Sequence, residues 1–151
     1  MSEDDGRVLA FEVAGVSWAL PIADVLEVAD AGELVGVPTL PRTLASVTNH
    51  RGDALPVLSP AALLDVDAGQ VPSPTRLLVI GSDPQEPGVL GLPVDRVLGL
   101  ARAPRTGSGR GLVRARSSLD GRLLRVLDAA RLVARANELI SDAARRGGRP
   151  S

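Results

Sequence analysis

Cysteine, tyrosine and lysine are absent from this chain, and histidine, phenylalanine and tryptophan occur once each. Without cysteine there is no disulfide framework, no thiolate metal site and no thiol nucleophile, which fits a reducing compartment. A single histidine, His50, excludes paired-histidine metal sites and leaves a histidine relay without its parts. No apolar run approaches the roughly 20 residues needed to span a bilayer, and the acidic start MSEDDGR lacks the basic and apolar regions of a signal peptide. These absences predict a cytoplasmic protein with no direct membrane insertion. They also predict no metal, no cofactor and no catalytic residue.

What is present is a core-forming chain with a hidden charge asymmetry. A folded chain of 151 residues buries roughly 70% of the surface its unfolded form exposes, enough for one ordinary domain or two very small ones. Residues 1–95 carry 4 arginines against 14 acids, and residues 96–151 carry 13 arginines against 4 acids. A dipolar surface of this kind steers and orients charged protein partners, although it says nothing about the fold.

The segment around which the rest is arranged is SVTNHRGDALPVLSPAALL, residues 46–64. Two runs rich in leucine and valine, 44–48 and 54–58, flank Asn49-His50-Arg51-Gly52-Asp53, where Gly52 can take positive φ at no steric cost. The pattern predicts a β-hairpin with Arg51 at its tip and His50 as a solvated loop residue. Ser59 can cap a helix and Pro60 is preset for its first position, so residues 61–64 are expected to form a short helix.

The unit recurs. At an offset of 69, Leu55, Val57, Leu58, Ala61 and Leu63 fall on Leu124, Val126, Leu127, Ala130 and Leu132, Ser59 falls on Asp128, and Gly52 on Gly121. The tips have reversed charges, Arg51-Gly52-Asp53 against Asp120-Gly121-Arg122. At an offset of 72, LPIADVLEVAD (20–30) aligns with LPVDRVLGLAR (92–102). Two matches at nearly one offset imply two similar halves. The expected organisation is one domain over 1–151, with subdomains of about 7–66 and 76–128, a linker over about 67–75 and a C-terminal helix over about 129–146.

Along the chain, strands are expected at 7–14, 16–22, 25–29, 76–80, 88–92, 94–100, 112–117 and 123–127, with Phe11 and Trp18 in the core. VPTLP (37–41) ends the approach to the hairpin, SDPQEP (82–87) is a turn, and PRTGSGRG (104–111) is a mobile loop. The closing helix starts at Asp128 and carries Leu132, Val133, Ala136, Leu139, Ile140 and Ala143 on one stripe, with Arg145 and Arg146 complementing its dipole. Its apolar face is expected to pack on its own barrel.

Three chemistries fail on these residues. The G-S-G-R-G run has neither the spacing nor the following helix of a phosphate loop. Ser46, His50 and Asp53 lie around one exposed hairpin where nothing would exclude water or supply an oxyanion hole. Nucleic-acid binding by a small basic β-barrel is the rival class, but both aromatics available for base stacking lie in the acidic half. The prediction is therefore no nucleic acid.

With these motifs placed, residues from about Val8 to Val133 resemble the CheW family of chemotaxis adaptors. Phe11, Gly15, Trp18 and Leu20-Pro21 resemble the family's first pattern; Asn49-His50-Arg51-Gly52, Pro56-Val57 and Ser59 resemble its N-L-R-G signature and capped helix; Gly91-Leu92-Pro93-Val94-Asp95-Arg96-Val97 resembles its G-L-x-V-D-x-V. The resemblance implies an all-β fold of two five-stranded SH3-like barrels with a short central helix and a C-terminal helix. It also implies a non-enzymatic scaffold joining the regulatory domain of a CheA-type histidine kinase to the cytoplasmic tip of a chemoreceptor, recruited to receptor arrays. Arg51 matches the signature arginine, and Asn49, His50, Arg51 and Asp53 are the expected partner-binding residues, with Gly52 and Gly121 the turn glycines. The chain departs from the pattern at Ser46 (usually Gly), His50 (usually Leu) and Ser59 (usually Asp). The His50 departure removes apolar surface beside the arginine, so a diverged adaptor binding one partner in a non-flagellar pathway is the alternative.

Overall fold

A computed structural model describes residues 5–30, 32–37, 40–41, 43–66, 76–104, 107, 109 and 111–147. The expected linker 67–75, and much of 37–41 and 104–111, lie outside them. The described residues form β1 (Asp5–Val13), β2 (Val16–Pro21), a single 3-10 turn (Ile22–Asp24), β3 (Val25–Asp30), β4 (Val35–Gly36), β5 (Ala45–His50), β6 (Asp53–Leu58) and α1 (Pro60–Leu64). There follow β7 (Arg76–Ile80), β8 (Leu90–Val94), β9 (Arg96–Pro104), β10 (Val113–Leu119), β11 (Arg122–Leu127) and α2 (Ala129–Gly147). Among the described residues no helix is long and apolar enough to cross a membrane.

Three hairpins set the local geometry. Ala14-Gly15, Arg51-Gly52 and Asp120-Gly121 all have positive φ (54° and 78°, 54° and 86°, 50° and 78°). Two consecutive left-handed residues make the type I′ turn, whose twist matches that of the strands it joins. The central loop is therefore two residues long, not five: Asn49 and His50 belong to β5, Asp53 to β6, and His50 pairs with Asp53.

The strands assemble into a five-stranded sheet, β10-β11-β2-β1-β9, and a six-stranded sheet, β3-β7-β8-β6-β5-β4, whose sixth member is two residues long. Leaving β4 aside, the two orders are the same once the repeat is applied. β11 pairs in parallel with β2 at Val126↔Ala19. Its counterpart, β6 with β8, pairs at Val57↔Gly91, the positions that offsets of 69 and 72 predict. Each sheet thus takes two strands from one half of the chain and three from the other. The division into 7–66 and 76–128 is corrected accordingly: the halves are repeats in sequence but are exchanged in space. The first sheet has a second parallel pair, Arg125↔Trp18. The equivalent position of Arg125 in β6 is Pro56, which has no N–H to donate, so the ladder there is shorter.

Period-two alternation fills three cores. In β1, Leu9, Phe11 and Val13 face a central core between the sheets, while Val8 and Ala10 face the interior of the first sheet with Ala19, Ala103, Leu124 and Val126. In β7, Leu78 and Ile80 join the central core, and Leu77 and Val79 join Leu55 and Val57 inside the second sheet. Gly91 lets β8 approach β6, because a Cβ there would lie 3.0 Å from Val57 and 3.2 Å from Leu55 and Leu77. Burial of each large central side chain, such as Phe11 or Leu127, is worth about 1.5–3 kcal/mol.

The helices close the central core. Leu132 and Ala136 of α2 are buried in it, so the C-terminal helix packs on its own domain. Its start is held as expected, with Asp128 Oδ1 accepting the Arg131 N–H at 3.0 Å. Ser59 makes no such side-chain bond before α1. The two caps are instead anchored alike through the backbone, the Ser59 N–H to Leu44 O and the Asp128 N–H to Leu112 O, both at 2.8 Å. Arg135 of α2 donates to the carbonyls of Leu63 (3.1 Å) and Ala62 (3.5 Å), satisfying the otherwise unpaired end of α1.

Because each sheet needs strands from both halves, fragments 1–66 and 76–151 should each lack a cooperative thermal transition. Mixing them should restore one, as read by circular dichroism. Cooperative melting of either fragment alone would show that the exchange is dispensable.

Candidate partner-binding site at the seam of the second sheet

The two edges of each sheet must meet if it is to curl closed, and they do so differently. In the first sheet, Ser117 of β10 donates its hydroxyl to Arg102 O of β9, and Arg114 donates to Pro104 O at 2.7 Å. In the second sheet, β3 lies at one edge and β5 next to the other. Glu27 of β3 bridges them: its Oε2 lies 2.6 Å from His50 Nε2 and 3.2 Å from Arg51 Nη2. The hairpin tip is thereby tied to the far edge of its own sheet.

His50 is not a solvated loop residue. Its side chain is 15% exposed, held against Glu27, whereas the Arg51 side chain is 73% exposed. Asn49 Oδ1 accepts the Gly52 N–H at 2.9 Å and fixes the turn. Arg51 has φ of 54°, a conformation a long L side chain rarely adopts and one that Asp120 in the equivalent turn takes more readily. An unfavourable residue retained at a tip directs attention to what its side chain does. Beside it runs a groove of about 300 Å³ lined by Leu26, Glu27, His50, Arg51 and Asp53 on one side and residues 84–88 on the other. The four expected residues are thus brought together, with Asn49 turned to the hairpin itself.

Glu27 is held below the usual carboxylate range, first by the hydrogen bond from His50 and also by the Arg51 charge, against an opposing effect of burial. An ionised carboxylate only accepts, so the imidazole Nε2 must carry the proton it shares with Glu27. The first sheet has a parallel arrangement. Glu12 Oε2 takes Arg122 Nη1 at 2.9 Å and Arg96 Nη2 at 3.2 Å, and these bonds, Arg96 first, lower its carboxyl as well. One tip arginine, Arg51, reaches β3, while Arg122, beside the second tip, reaches β1.

The charge asymmetry survives strand exchange. Seven arginines (7, 96, 102, 114, 116, 122 and 125) lie on strands of the first sheet, against Arg76 alone on those of the second. Arg116 and Arg125 are direct cross-strand partners, and Arg125 sits 5.6 Å over the Trp18 ring. The second sheet carries Glu27, Asp30 and Asp53 on its strands.

A family model for the CheW-like domain matches residues 7–137. The chain belongs to the CheW-like domain family. The protein FrzA of Myxococcus xanthus is 37% identical over 94 residues, which cover 62% of this chain and 57% of FrzA, little more than half that relative's length. The scaffolding protein TtCheW from Thermoanaerobacter tengcongensis superposes with a TM-score of 0.66 at 18% identity, over 82% of this chain and 88% of that one. At that identity the likeness shows the CheW-like fold alone.

Within the CheW-like frame, sequence reasoning placed Arg51 and the turn but missed Glu27. Its position in LPIADVLEVAD marks it only as a polar residue on an alternating strand. Nothing local announces that β3 and β5 meet. The equivalent of Glu27 at an offset of 72 is Gly99, so the repeat gives no hint either.

Two outcomes are expected. Arg51→Asn should leave the thermal midpoint unchanged or slightly raised, since asparagine tolerates the left-handed turn and an exposed ion pair is worth only about 0–1 kcal/mol; a clear drop would make Arg51 structural. The lowered carboxyls of Glu12 and Glu27 favour the folded state above their ordinary value of 4.5, and that contribution is lost as pH falls below it. Midpoints should therefore fall between about pH 5 and pH 3. Glu12→Gln should melt lower at neutral pH and decline less steeply with acid, and an unchanged slope would remove Glu12 as a contributor.

Proposed function

We propose that this chain is a non-catalytic adaptor that couples chemoreceptors to a CheA-type histidine kinase in a chemosensory array. Membership of the CheW-like family supports the scaffold role, as does the fold shared with a protein described as a scaffolding protein. The observation that carries the site assignment is Arg51: exposed, set at a hairpin tip in an unfavourable backbone conformation, and anchored at its base by Glu27. A charge presented this way contributes little to folding and much to register and partner choice. The opposite signs of the two sheets supply two chemically distinct surfaces, as an adaptor with two partners requires.

A second reading, an adaptor that engages one partner only, is favoured by His50. Its ring and Glu27 make the base of the tip polar and charged, so a partner that buries apolar surface there would lose affinity.

The deciding measurement is binding of the purified chain to the regulatory domain of its cognate CheA-type kinase and, separately, to the cytoplasmic fragment of its receptor. Saturable binding to both is expected, with Arg51→Glu weakening one of them roughly tenfold or more at unchanged thermal midpoint. Binding to the receptor fragment alone would establish the single-partner reading. Binding to neither would overturn both.

A further inference from the structure

Four arginines stand in a row round the outside of the first sheet, and the repeat shows that the fold does not need them. The inward positions beside them are Val8, Ala101, Ala103, Ala115 and Val126, so Arg7, Arg102, Arg116 and Arg125 face out. Arg7 lies directly opposite Arg102, and Arg116 directly opposite Arg125. The Ser117 hydroxyl donates to Arg102 O where the sheet closes, which sets Arg116 beside Arg102 and makes the row continuous across β1, β9, β10 and β11. None of the four is ion-paired to another described side chain.

The second sheet is an internal control. Its positions equivalent to Arg7 and Arg102 are Arg76 and Asp30, cross-strand partners joined at 2.8 Å. Those equivalent to Arg116 and Arg125 are Val47 and Pro56, again direct partners. One frame thus carries a neutral ion pair and two uncharged residues, and the other carries four positive charges. Like charges directly opposite one another destabilise a sheet, so this row costs the fold something that its counterpart avoids.

We propose that this arginine belt is a docking surface for a short acidic protein segment with apolar residues beside its carboxylates. Four unpaired guanidinium groups select an anion by charge complementarity. Leu100 and Leu123 select protein: they are 44% and 53% exposed, and each lies two residues before a belt arginine on the same outer face. β9 and β11 run in the same direction, so both leucines flank the belt on one side. A nucleic acid would find no aromatic face to stack on, because Trp18 is 6% exposed beneath Arg125 and Phe11 is fully buried. The Trp18 indole N–H is also a buried donor without an acceptor, so this end of the belt is short of acceptors. The surface is separate from the Arg51 tip, and its test needs neither receptor nor kinase.

The probe is a short synthetic peptide of glutamate and leucine, titrated into the full chain while the emission of its only tryptophan is followed. Trp18 reports on the belt because Arg125 lies 5.6 Å over its ring. Saturable binding is expected, weakening as salt is added. The deciding variant carries Arg102→Asp and Arg116→Val together, the residues that the second sheet uses at the equivalent positions. It should bind the peptide roughly tenfold or more weakly, with a thermal midpoint unchanged or raised because opposed charges are relieved. Arg146→Glu, at the exposed end of α2, lowers the net charge elsewhere and should bind as the unmodified chain does. Equal loss in Arg146→Glu, or undiminished binding in the double variant, would overturn the proposal. So would a lowered midpoint in the double variant, which would assign the arginines to the fold. Tighter binding of a single-stranded oligonucleotide than of the peptide at the same salt would make the occupant nucleic acid and reject the acidic segment.

Discussion

Strand pairings between opposite halves of the chain hold this molecule together: the parallel pairs β2 with β11 and β6 with β8, and the longer antiparallel pairs β1 with β9 and β3 with β7. Everything else depends on them. They place Leu9, Phe11 and Val13 of the first half against Leu78, Ile80 and Leu92 of the second, creating a central core that neither repeat could build by itself. They bring Leu58 and Leu127, equivalent positions of the two repeats, into that same core, and α2 then seals it with Leu132 and Ala136. The interiors of the individual sheets are small by comparison, lined by alanine, valine and Leu124 in the first and by leucine and valine in the second. A domain of this size with two thin interiors and one shared centre is stabilised by its middle.

The candidate site follows from how the second sheet closes. In the first sheet, backbone carbonyls of β9 receive side-chain donors from Ser117 and Arg114 of β10, so each contact ends on fixed main chain. In the second, the seam has one carboxylate, Glu27, with a histidine and an arginine converging on it. A closure built from side chains on both edges is local and adjustable, where one that ends on main-chain carbonyls is fixed on one side. Placing the exposed arginine on top of that closure makes the tip's orientation a property of three side chains.

Much of this was legible in the residues. The repeat at offsets of 69 and 72 was visible as letters, and it forecast the matched registers Val57↔Gly91 and Val126↔Ala19 once the strands were placed. β6 and β11 have the same pattern of exposure position by position, which the shared leucines and valines imply. Strand exchange was not legible, because alternation reports which face of a strand is buried and is silent about which strand lies beside it. For the same reason the two edges that meet at Glu27 were invisible, and His50 was assigned to solvent. The expectation that Ser59 caps its helix through the side chain was not met, although its backbone is tethered to Leu44 just as that of Asp128, which does cap, is tethered to Leu112. Arg51 was identified by its motif. Its backbone conformation supplies an independent physical reason, since arginine is a poor choice for the first position of a type I′ turn.

Strand exchange also governs how the chain comes into being. During synthesis the first half emerges with β2 and β6 already formed as hairpin members but without the strands that pair on their other sides, which come later: Val126 pairs with Ala19 and Gly91 with Val57. Those edges, with Trp18, Leu20, Leu55 and Leu58 beside them, stay open until β8 and β11 leave the ribosome. Contacts of such long sequence separation form slowly and leave an interval in which an unpaired edge can meet the edge of another nascent chain. Pro21 and Pro56, set at the end of β2 and in the middle of β6, interrupt the run of free donors on these strands. The prolines that shorten the native ladders thus also blunt the unfinished sheet.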